Sequence, residues 1–291
     1  YGLMLREDGI CYDDGTTARL AENHFVMTTT TANAVLVYRN MEFARQCLFP
    51  DLDVHIISTT DQWAQFAVAG PNSRAVLSKI IDNVDMSNDG FPFMACSDIT
   101  VCGGTPGRLF RISFSGELAY EVAVPARYGD ALIREIISAG EEFNITPYGT
   151  EALGVMRIEK GHVTGAELNG QMTAFNINMN NMISTKKDSI GSVLSRREVM
   201  VADDQVRLVG VKTIKKSDSL SSGAHFLAEN DKPTTQNDQG WITSVCYSPH
   251  FEQHIGLGFL ERGHERHGEV LRAWDGIRGA DVLVEIVSSH M

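Results

Sequence analysis

The strongest constraint on the fold is a change in hydrophobic periodicity near residue 206. From Val206 onward, short apolar runs alternate with Gly, Asp and Pro, and helical periodicity fades. Short apolar runs between turn residues are typical of antiparallel strands that close into a barrel or pack as a sandwich. About 85 residues follow the change, which is enough for one such domain. We therefore predict a C-terminal β-barrel domain over residues 206–291.

Upstream of this point, strand and helix patterns are mixed. Residues 1–31 predict a three-stranded β-meander in which "ICYDDGTTARL" is a single strand. Further strands are predicted at 53–60 and 63–70, with three more in 98–125, and helices within 32–49, 70–81, 126–143 and 149–161. Strands joined by tight turns, with helices between groups of strands, indicate an α+β fold with antiparallel sheets. The predicted domains are a core at 1–185, a connector at 186–205 and the barrel at 206–291.

Composition narrows the possible partners. The formal net charge of −12 disfavours a nucleic acid partner, because an acidic surface repels phosphate. No run of about 18 apolar residues occurs, so we predict no membrane span. The chain opens "YGLMLREDG" without an initiator Met, and we expect it to be a fragment.

Cysteines and histidines predict neither disulfides nor a metal site. The five cysteines are odd in number and irregular in spacing, which favours free thiols in a reducing, cytoplasmic compartment. "CSDITVC", "HFEQH" and "HERH" lack the ligand spacing of common metal sites.

A carboxylate lies on an apolar row in the predicted second strand. Alternation places Asp14 with Ile10 and Tyr12 on the more apolar face, and Asp13 with Arg19 on the wetter face. A carboxylate on a core-facing row is costly unless it has partners or a chemical role. Asp14 is therefore the candidate reactive acid. The alternative is an Asp that accepts backbone hydrogen bonds near the turn.

Two further polar residues occupy unusual positions. In "GELAYEVAVP", Glu121 lies between Ala119 and Ala123, which leaves room for a flat ligand with paired N–H donors. The alternative is a half-exposed strand whose outer face carries one Glu. On the predicted helix 149–161, Arg157 follows Gly154, which would remove bulk beneath its side chain. The alternative there is a surface Arg whose stem covers apolar area.

Four stretches together resemble the tetrahydrofolate-dependent aminomethyltransferase family, which includes the T-protein of the glycine cleavage system. They are "GLMLREDGICYDDGTTARLAENHFVMTTTTANA", "AVAGPNSRAVL", "ISFSGELAYEVAVP" and "ALGVMRIEKGHVTGAELNG", in the family's order. The Thr run and residues 49–77 are more similar still to the C-terminal domain of the alpha subunit of heterotetrameric sarcosine oxidase. The resemblance implies that the family's first 80 or so residues and its extreme C-terminal segment lie outside this chain.

The resemblance implies roles for particular residues. It places the catalytic carboxylate near the folate N10 at Asp14, with Asp13 as a less favoured alternative. It places the pterin-binding acid at Glu121 and a further folate-binding residue at Arg157. A folate-binding position falls on Phe114, where glycine-cleavage members often carry Tyr, and another on Thr30, where they carry Asn.

The resemblance also implies a function. It predicts an antiparallel-sheet, folate-binding core in which Asp14, Glu121 and Arg157 share one hollow. It implies one-carbon transfer to tetrahydrofolate, forming 5,10-methylenetetrahydrofolate from the imine that sarcosine oxidation produces. Flavin-containing sarcosine oxidase subunits would be the protein partners. Flavin and NAD would belong only to other domains or subunits. The alternatives are a glycine cleavage aminomethyltransferase and a non-catalytic folate-binding scaffold.

Overall fold

The computed structural model describes residues 1–291, which form two compact units. The first unit combines Tyr1–Gly15 with Thr150–Met291, and the second contains Thr16–Gly149. Antiparallel sheets and a small number of helices make up the chain, so the predicted α+β class is confirmed. The predicted domain boundaries at 185 and 206 divide the chain into continuous segments, whereas the first unit combines two separate segments. The boundaries stay a prediction.

The N-terminal strands form two separate hairpins. Their bounds are Gly2–Leu5 (β1), Cys11–Gly15 (β2), Thr17–Ala21 (β3) and His24–Met27 (β4). Strand β1 pairs with β2, and β3 pairs with β4. The predicted meander with one strand across 10–20 is therefore wrong. The strand ends at Gly15, and the Thr16 carbonyl instead accepts a 2.9 Å hydrogen bond from the Thr28 amide.

A four-stranded antiparallel sheet organises the second unit. Its helices and strands are Ala34–Phe43 (α1), Trp63–Ala69 (β5), Ser73–Leu77 (α2), Cys96–Val101 (β6), Thr105–Phe110 (β7), Ala119–Pro125 (β8) and Gly129–Gly140 (α3). The strand order is β5-β8-β7-β6, so β8 is a central strand with a neighbour on each side. One face of the sheet buries Val68, Leu109 and Val122 against Leu132 and Ile136 of α3. The alternating pattern of "ELAYEVAVP" predicted this inward face correctly.

One predicted strand of the second unit is absent. Residues 53–60 form no strand, because the segment has no pairing partner; Ile57 is 74% exposed. The helix predicted over 32–49 is confirmed in its main part as α1, which continues into a π-helical turn at Ala44–Leu48. The longest helix, α3, has 12 residues, and no helix is long and apolar enough to span a membrane.

The C-terminal strands close into a barrel. Helix α4 (Thr150–Lys160) precedes the strands Val206–Thr213 (β9), His225–Leu227 (β10), Gly240–Ser248 (β11), Gln253–Glu261 (β12), Val270–Asp275 (β13) and Ala280–Val287 (β14). The ring order is β10-β11-β12-β9-β14-β13. The barrel rather than the sandwich is therefore confirmed. Strands β10 and β13, which the sequence patterns did not predict, complete the closure.

The segment at 186–205 is folded against the N-terminal hairpin. An added Cβ at Gly191 would lie 2.2 Å from the Arg6 carbonyl oxygen, and one at Gly9 would lie 2.5 Å from the Ser195 amide nitrogen. Both glycines have positive φ, +80° for Gly191 and +89° for Gly9. Contacts this close require glycine on both sides of the packing.

All five cysteines are free, as predicted.

We expect Gly191→Ala to destabilise the chain more than Gly223→Ala. Both positions have positive φ, +80° and +84°, so both variants carry a backbone cost of about 1 kcal/mol. Only the Gly191 variant must also displace the Arg6 carbonyl, since Gly223 has no atom within 4 Å of an added Cβ. Urea denaturation should show a further loss of about 1–3 kcal/mol for Gly191→Ala. Equal losses would contradict tight packing of this segment.

Candidate functional site

The structure reverses the predicted faces of the two adjacent carboxylates. Cys11 and Asp13 are fully buried, whereas Tyr12 and Asp14 are half-buried. The inward row of β2 therefore carries Asp13, and the prediction that Asp13 lies on the wetter face is wrong. Cys11 packs in an apolar cluster and sets this orientation, since a free Cys behaves as a small hydrophobic residue.

Asp14 has a defined polar environment. Its Oδ2 accepts a 2.6 Å hydrogen bond from the Tyr1 hydroxyl, and that hydroxyl also lies 3.9 Å from the Met179 sulfur. Burial raises the pKa of Asp14, and the negative charge of Asp13 adds to the increase, while Tyr1 and His162 oppose it. Burial also raises the pKa of Tyr1, so this hydroxyl remains a donor at neutral pH. A carboxylate with a raised pKa is suited to hold or accept a proton.

Arg157 lies inside the first unit rather than on its surface. Its guanidinium donates to Glu167 Oε2 at 3.2 Å through Nη1 and to the Ser244 hydroxyl at 2.7 Å through Nη2. Glu167 is fully buried. The surface alternative for Arg157 is therefore wrong. The proposed role of Gly154 is also wrong, because an added Cβ there would meet nothing within 4 Å.

Glu167 completes a network that the sequence analysis did not identify. Its Oε2 accepts hydrogen bonds from the Thr164 amide at 2.8 Å and the Thr164 hydroxyl at 3.1 Å. Its Oε1 accepts from Ser244 at 2.6 Å and from the Thr243 hydroxyl. The network joins α4, the turn after it and strand β11. The only sequence signal for it is the acid ten positions after Arg157.

Arg157 also fixes the segment that faces Asp14. The His162 amide donates to the Arg157 carbonyl at 2.9 Å, and Arg157 Nη1 lies 3.3 Å from the His162 carbonyl oxygen. The positive form of His162 is one of the charges that lower the pKa of Asp14. Arg157 therefore holds the main chain of a residue whose charge influences the pKa of Asp14.

Glu121 lies on the central strand of the sheet in the second unit, on the face opposite the apolar core. It is paired in register with Ala67 of β5 and Phe110 of β7. Ala67 is exposed, so small side chains surround the carboxylate on β5 as well as on β8. The alternative for Glu121, a half-exposed strand whose outer face carries one Glu, is only partly correct. Glu121 is half-buried on that face, but Ala119 and Ala123 beside it are buried.

Two neighbours of Glu121 were not predicted. Glu121 Oε2 accepts a hydrogen bond from Gln65 Nε2, and Oε1 makes no hydrogen bond within the chain. Burial raises the pKa of Glu121. Tyr148 is 39% exposed, and its pKa is raised by burial and by the charge of Glu121. Because Gln65 lies 56 positions earlier in the chain, only the strand register brings it to Glu121.

The remaining candidates occupy loop positions of the second unit. Thr30 is half-buried and precedes a short 3₁₀ turn, where its carbonyl accepts a 3.0 Å hydrogen bond from the Asn33 amide. Phe114 is 40% exposed in the turn between β7 and β8. No group of three or more His, Cys, Asp or Glu side chains could hold a metal ion.

Comparison with known families decides the family of the chain. The GCVT N-terminal domain matches residues 1–187, and the glycine cleavage T-protein C-terminal barrel domain matches residues 207–291. The chain belongs to the glycine cleavage T-protein family. The family named by the resemblance is thus confirmed.

Within this family, the chain is similar to three curated proteins of two kinds. It is 50% identical over 281 residues to the sarcosine oxidase subunit alpha of Rhizobium meliloti, covering 96% of this chain and 28% of that protein. It is 41% identical over 287 residues to the corresponding subunit of Corynebacterium sp. strain P-1, covering 98% and 30%. It is 26% identical over 296 residues to the aminomethyltransferase of Listeria welshimeri, covering 99% and 75%. The chain thus spans less than a third of the sarcosine oxidase subunits.

A solved structure of the family shares the fold. The glycine cleavage system aminomethyltransferase T from Bartonella henselae matches with a TM-score of 0.82, at 19% identity over 99% of this chain and 74% of that chain. This likeness supports the α+β fold with the C-terminal barrel.

We expect Asp14→Asn to raise the free energy of unfolding at neutral pH relative to the parent chain. The pKa of Asp14 is raised in the folded state, so the folded state binds its proton more tightly than the unfolded state. The stability of the parent therefore falls as pH rises from about 4 through the raised pKa that Asp14 has in the folded state. Urea denaturation at pH 3.5 and pH 7 should therefore show a gain for the variant at pH 7 that shrinks at pH 3.5.

Asp8→Asn is the control, with the opposite sign. Arg6 holds the pKa of Asp8 below its usual range, so Asp8 stabilises the chain at neutral pH and loses that contribution as pH falls below about 4. At pH 7 the free energy of unfolding should therefore be higher than that of the parent for Asp14→Asn and lower for Asp8→Asn. A loss of stability for Asp14→Asn at pH 7 would contradict the description of Asp14 as a carboxylate whose pKa is raised by burial.

We expect Arg157→Met to cost about 3–5 kcal/mol of unfolding free energy, because Glu167 would remain buried without its cation. Arg134→Met is the matched control, since Arg134 pairs with Asp130 at 2.9 Å on an exposed helix face. Its loss should be much smaller, because solvent screens an exposed ion pair. Similar losses in urea denaturation would show that the buried network is not a stabilising element.

Proposed function

We propose that this chain transfers a one-carbon unit to tetrahydrofolate within a sarcosine-oxidase-type enzyme. The donor would be the imine formed by sarcosine oxidation, and its carbon would pass to N5 and N10 of tetrahydrofolate. The products would be 5,10-methylenetetrahydrofolate and glycine, which leaves with the imine nitrogen. Flavin-containing subunits would carry out that oxidation. The proposal is favoured by 50% identity, over 96% of this chain, to a protein named sarcosine oxidase subunit alpha.

The observation that carries the chemical part of the proposal is the half-buried Asp14 carboxylate with its raised pKa. A ligand can reach Asp14 but not the fully buried Asp13, which favours Asp14 as the catalytic residue. The exposure of Asp14, and not its place in the strand alternation, is therefore the reason for preferring it to Asp13. Tyr1 and His162 hold Asp14 within a hydrogen-bonding and electrostatic environment that leaves it able to take a proton.

The surroundings of Glu121 fit the pterin ring. Small residues flank its carboxylate, and Oε1 is available to accept a hydrogen bond while Gln65 holds Oε2. A carboxylate presented in this way recognises two adjacent N–H donors on a flat ring. The partly exposed Tyr148 and Phe114 and the half-buried Thr30 lie in the same unit.

The chain's residues then divide the chemistry between them. Bound tetrahydrofolate supplies N5 and N10, the two nitrogens that hold the transferred carbon. Asp14 orients the N10 amine and holds the proton that leaves it, which is a general acid–base role worth about 10²–10⁴-fold in rate. Glu121 fixes the pterin ring. Arg157, whose guanidinium is bonded within the protein, closes the site indirectly by holding the main chain of His162.

We expect Asp14→Asn, made in the full-length protein with its partner subunits, to leave sarcosine-dependent flavin reduction unchanged. The yield of 5,10-methylenetetrahydrofolate should fall by about 10²-fold or more, and formaldehyde should replace it, because the amine loses its proton acceptor. Stopped-flow absorbance measures the flavin step, and product analysis measures the two one-carbon products. Asp8→Asn, in the same hairpin, is the control and should leave the product ratio unchanged.

An unchanged product ratio in the Asp14 variant would overturn its catalytic role. Turnover of an aminomethyl-lipoyl carrier by the parent protein, without sarcosine-dependent product, would instead place the chain with the aminomethyltransferases. Folate binding without any one-carbon turnover would indicate a binding scaffold.

A further inference from the structure

One helix of the second unit presents its apolar residues to solvent. Among the residues of α1, only Val37 is buried. Val35, Leu36 and Phe43 lie on the sides of the helix that face away from Val37, and each is at least half exposed. A helix on the surface of a globular protein normally buries its apolar stripe. The apolar face of α1 therefore has no cover within this chain.

The exposed apolar surface continues beyond this helix. Between residues 35 and 57, the large apolar side chains that are at least 37% exposed are Val35, Leu36, Tyr38, Phe43, Leu48, Phe49, Leu52, Val54 and Ile57. At about half exposure they leave on the order of 700 Å² uncovered, given the roughly 150–250 Å² that a large side chain buries. The largest apolar patch of a typical monomer is roughly 300–600 Å², whereas one side of a standard protein interface is about 800 Å². The apolar surface formed by residues 35–57 thus has the size of an interface.

The end of the apolar surface has unpaired main-chain groups. Residues 53–58, "DVHIIS", have the β-branched composition of a strand, but no strand of the chain pairs with them. Their backbone makes two hydrogen bonds: the Val54 amide donates to the Leu52 carbonyl at 3.0 Å, and the Ile56 carbonyl accepts from the Tyr38 hydroxyl at 3.3 Å. Open main-chain groups beside apolar side chains are the feature to which an extended peptide adds as a new strand.

Tyr38 determines which edge of this segment is open. In a paired strand, the N–H and C=O of one residue point to the same edge, and neighbouring residues use opposite edges. Because the Ile56 carbonyl is bonded to Tyr38 of α1, the main-chain groups of His55 and Ile57 belong to the opposite edge. Both residues are exposed. A strand from outside the chain would therefore exchange its hydrogen bonds with His55 and Ile57.

The charges of the apolar surface favour a protein partner over a lipid one. Glu42 and Arg45, near its middle, are paired with each other at 2.9 Å. The surface contains no Lys, and Asp51 and Asp53 are exposed at its end, so anionic lipid headgroups would repel it. An apolar centre with few unpaired charges is typical of permanent subunit interfaces.

We propose that the apolar surface docks the flavin-bearing partner subunit, and that an extended strand of this subunit pairs with residues 53–58. The inference rests on the proposed function. An imine hydrolyses in water to formaldehyde, so efficient transfer to tetrahydrofolate requires the oxidising subunit to stay attached. A permanent attachment requires an interface of about the area that the apolar surface offers. The partner strand supplies the main-chain groups that His55 and Ile57 lack within the chain.

Binding of the flavin-bearing subunit to the full-length protein tests the docking surface. Ile57→Asp should weaken this binding about tenfold or more, because the interface would bury a carboxylate without a partner. Ile277→Asp is the matched control, since Ile277 is 95% exposed in a barrel turn, and it should leave the affinity unchanged. Analytical ultracentrifugation with detection of flavin absorbance measures the affinity. Both side chains are exposed in the chain, so neither variant should lower the melting temperature.

Two variants of His55 test the strand pairing. His55→Pro removes a main-chain N–H at the open edge, whereas His55→Ala keeps it. The Pro variant should weaken binding of the flavin-bearing subunit about tenfold, and the Ala variant should bind like the parent. In the parent, hydrogen exchange of the amides in residues 53–58 should be fast in the isolated full-length protein and slow in the complex.

The outcomes separate this inference from the proposed function. If no flavin-bearing subunit binds the parent, the proposed function fails. If the subunit binds but Ile57→Asp and Ile277→Asp behave alike, the apolar surface is not the interface. Slow exchange of residues 53–58 in the isolated protein would assign the cover to that polypeptide itself. Self-association that Ile57→Asp abolishes would assign it to a second copy. Either result would overturn the proposal, and equal binding by the two His55 variants would overturn the strand pairing.

Discussion

The buried pair of Arg157 and Glu167 is the interaction on which the first unit depends. It connects α4, the turn at 162–168 and barrel strand β11 through hydrogen bonds that satisfy both charges. Buried ions without partners are strongly unfavourable, so these elements must assemble together for either charge to be tolerated. The same guanidinium holds His162, whose charge acts on Asp14. The structural ion pair thus holds a residue whose charge influences the candidate reactive carboxylate.

The sequence predicted the elements whose pattern is local. The stripe on α3, the alternation of β8, the Gly161 end of α4 and most barrel strands follow from spacing and turn residues alone. The sequence-based prediction failed where strand pairing, and not the local pattern, determines the structure. Residues 10–20 alternate like one strand, yet partners change after Gly15. Residues 53–60 have strand composition but no neighbour. Strand β10, with three residues, is too short to give a pattern.

The candidate site was likewise predictable only in part. Unusual residue types in patterned segments pointed to Asp14, Glu121 and Arg157, and the resemblance gave them roles. Their partners were not predicted, because Gln65, Tyr148, Glu167 and Tyr1 meet them through strand register or tertiary packing rather than through a local sequence pattern. The orientation of the two acids was also misjudged. Cys11 and not Tyr12 anchors the inward row, and only the packing around β2 reveals that preference.

The central position of β8 has a consequence for selectivity. Glu121 is flanked on both sides by paired backbone, in register with Ala67 and Phe110, so its main chain cannot shift to accommodate an incoming molecule. A rigid acceptor loses little entropy on association, and it penalises donors whose spacing does not match. If Glu121 binds the pterin ring as proposed, discrimination at this carboxylate would be steric and directional. Analogues that keep the overall size of a ring but displace one donor should be rejected more strongly than smaller analogues that keep both.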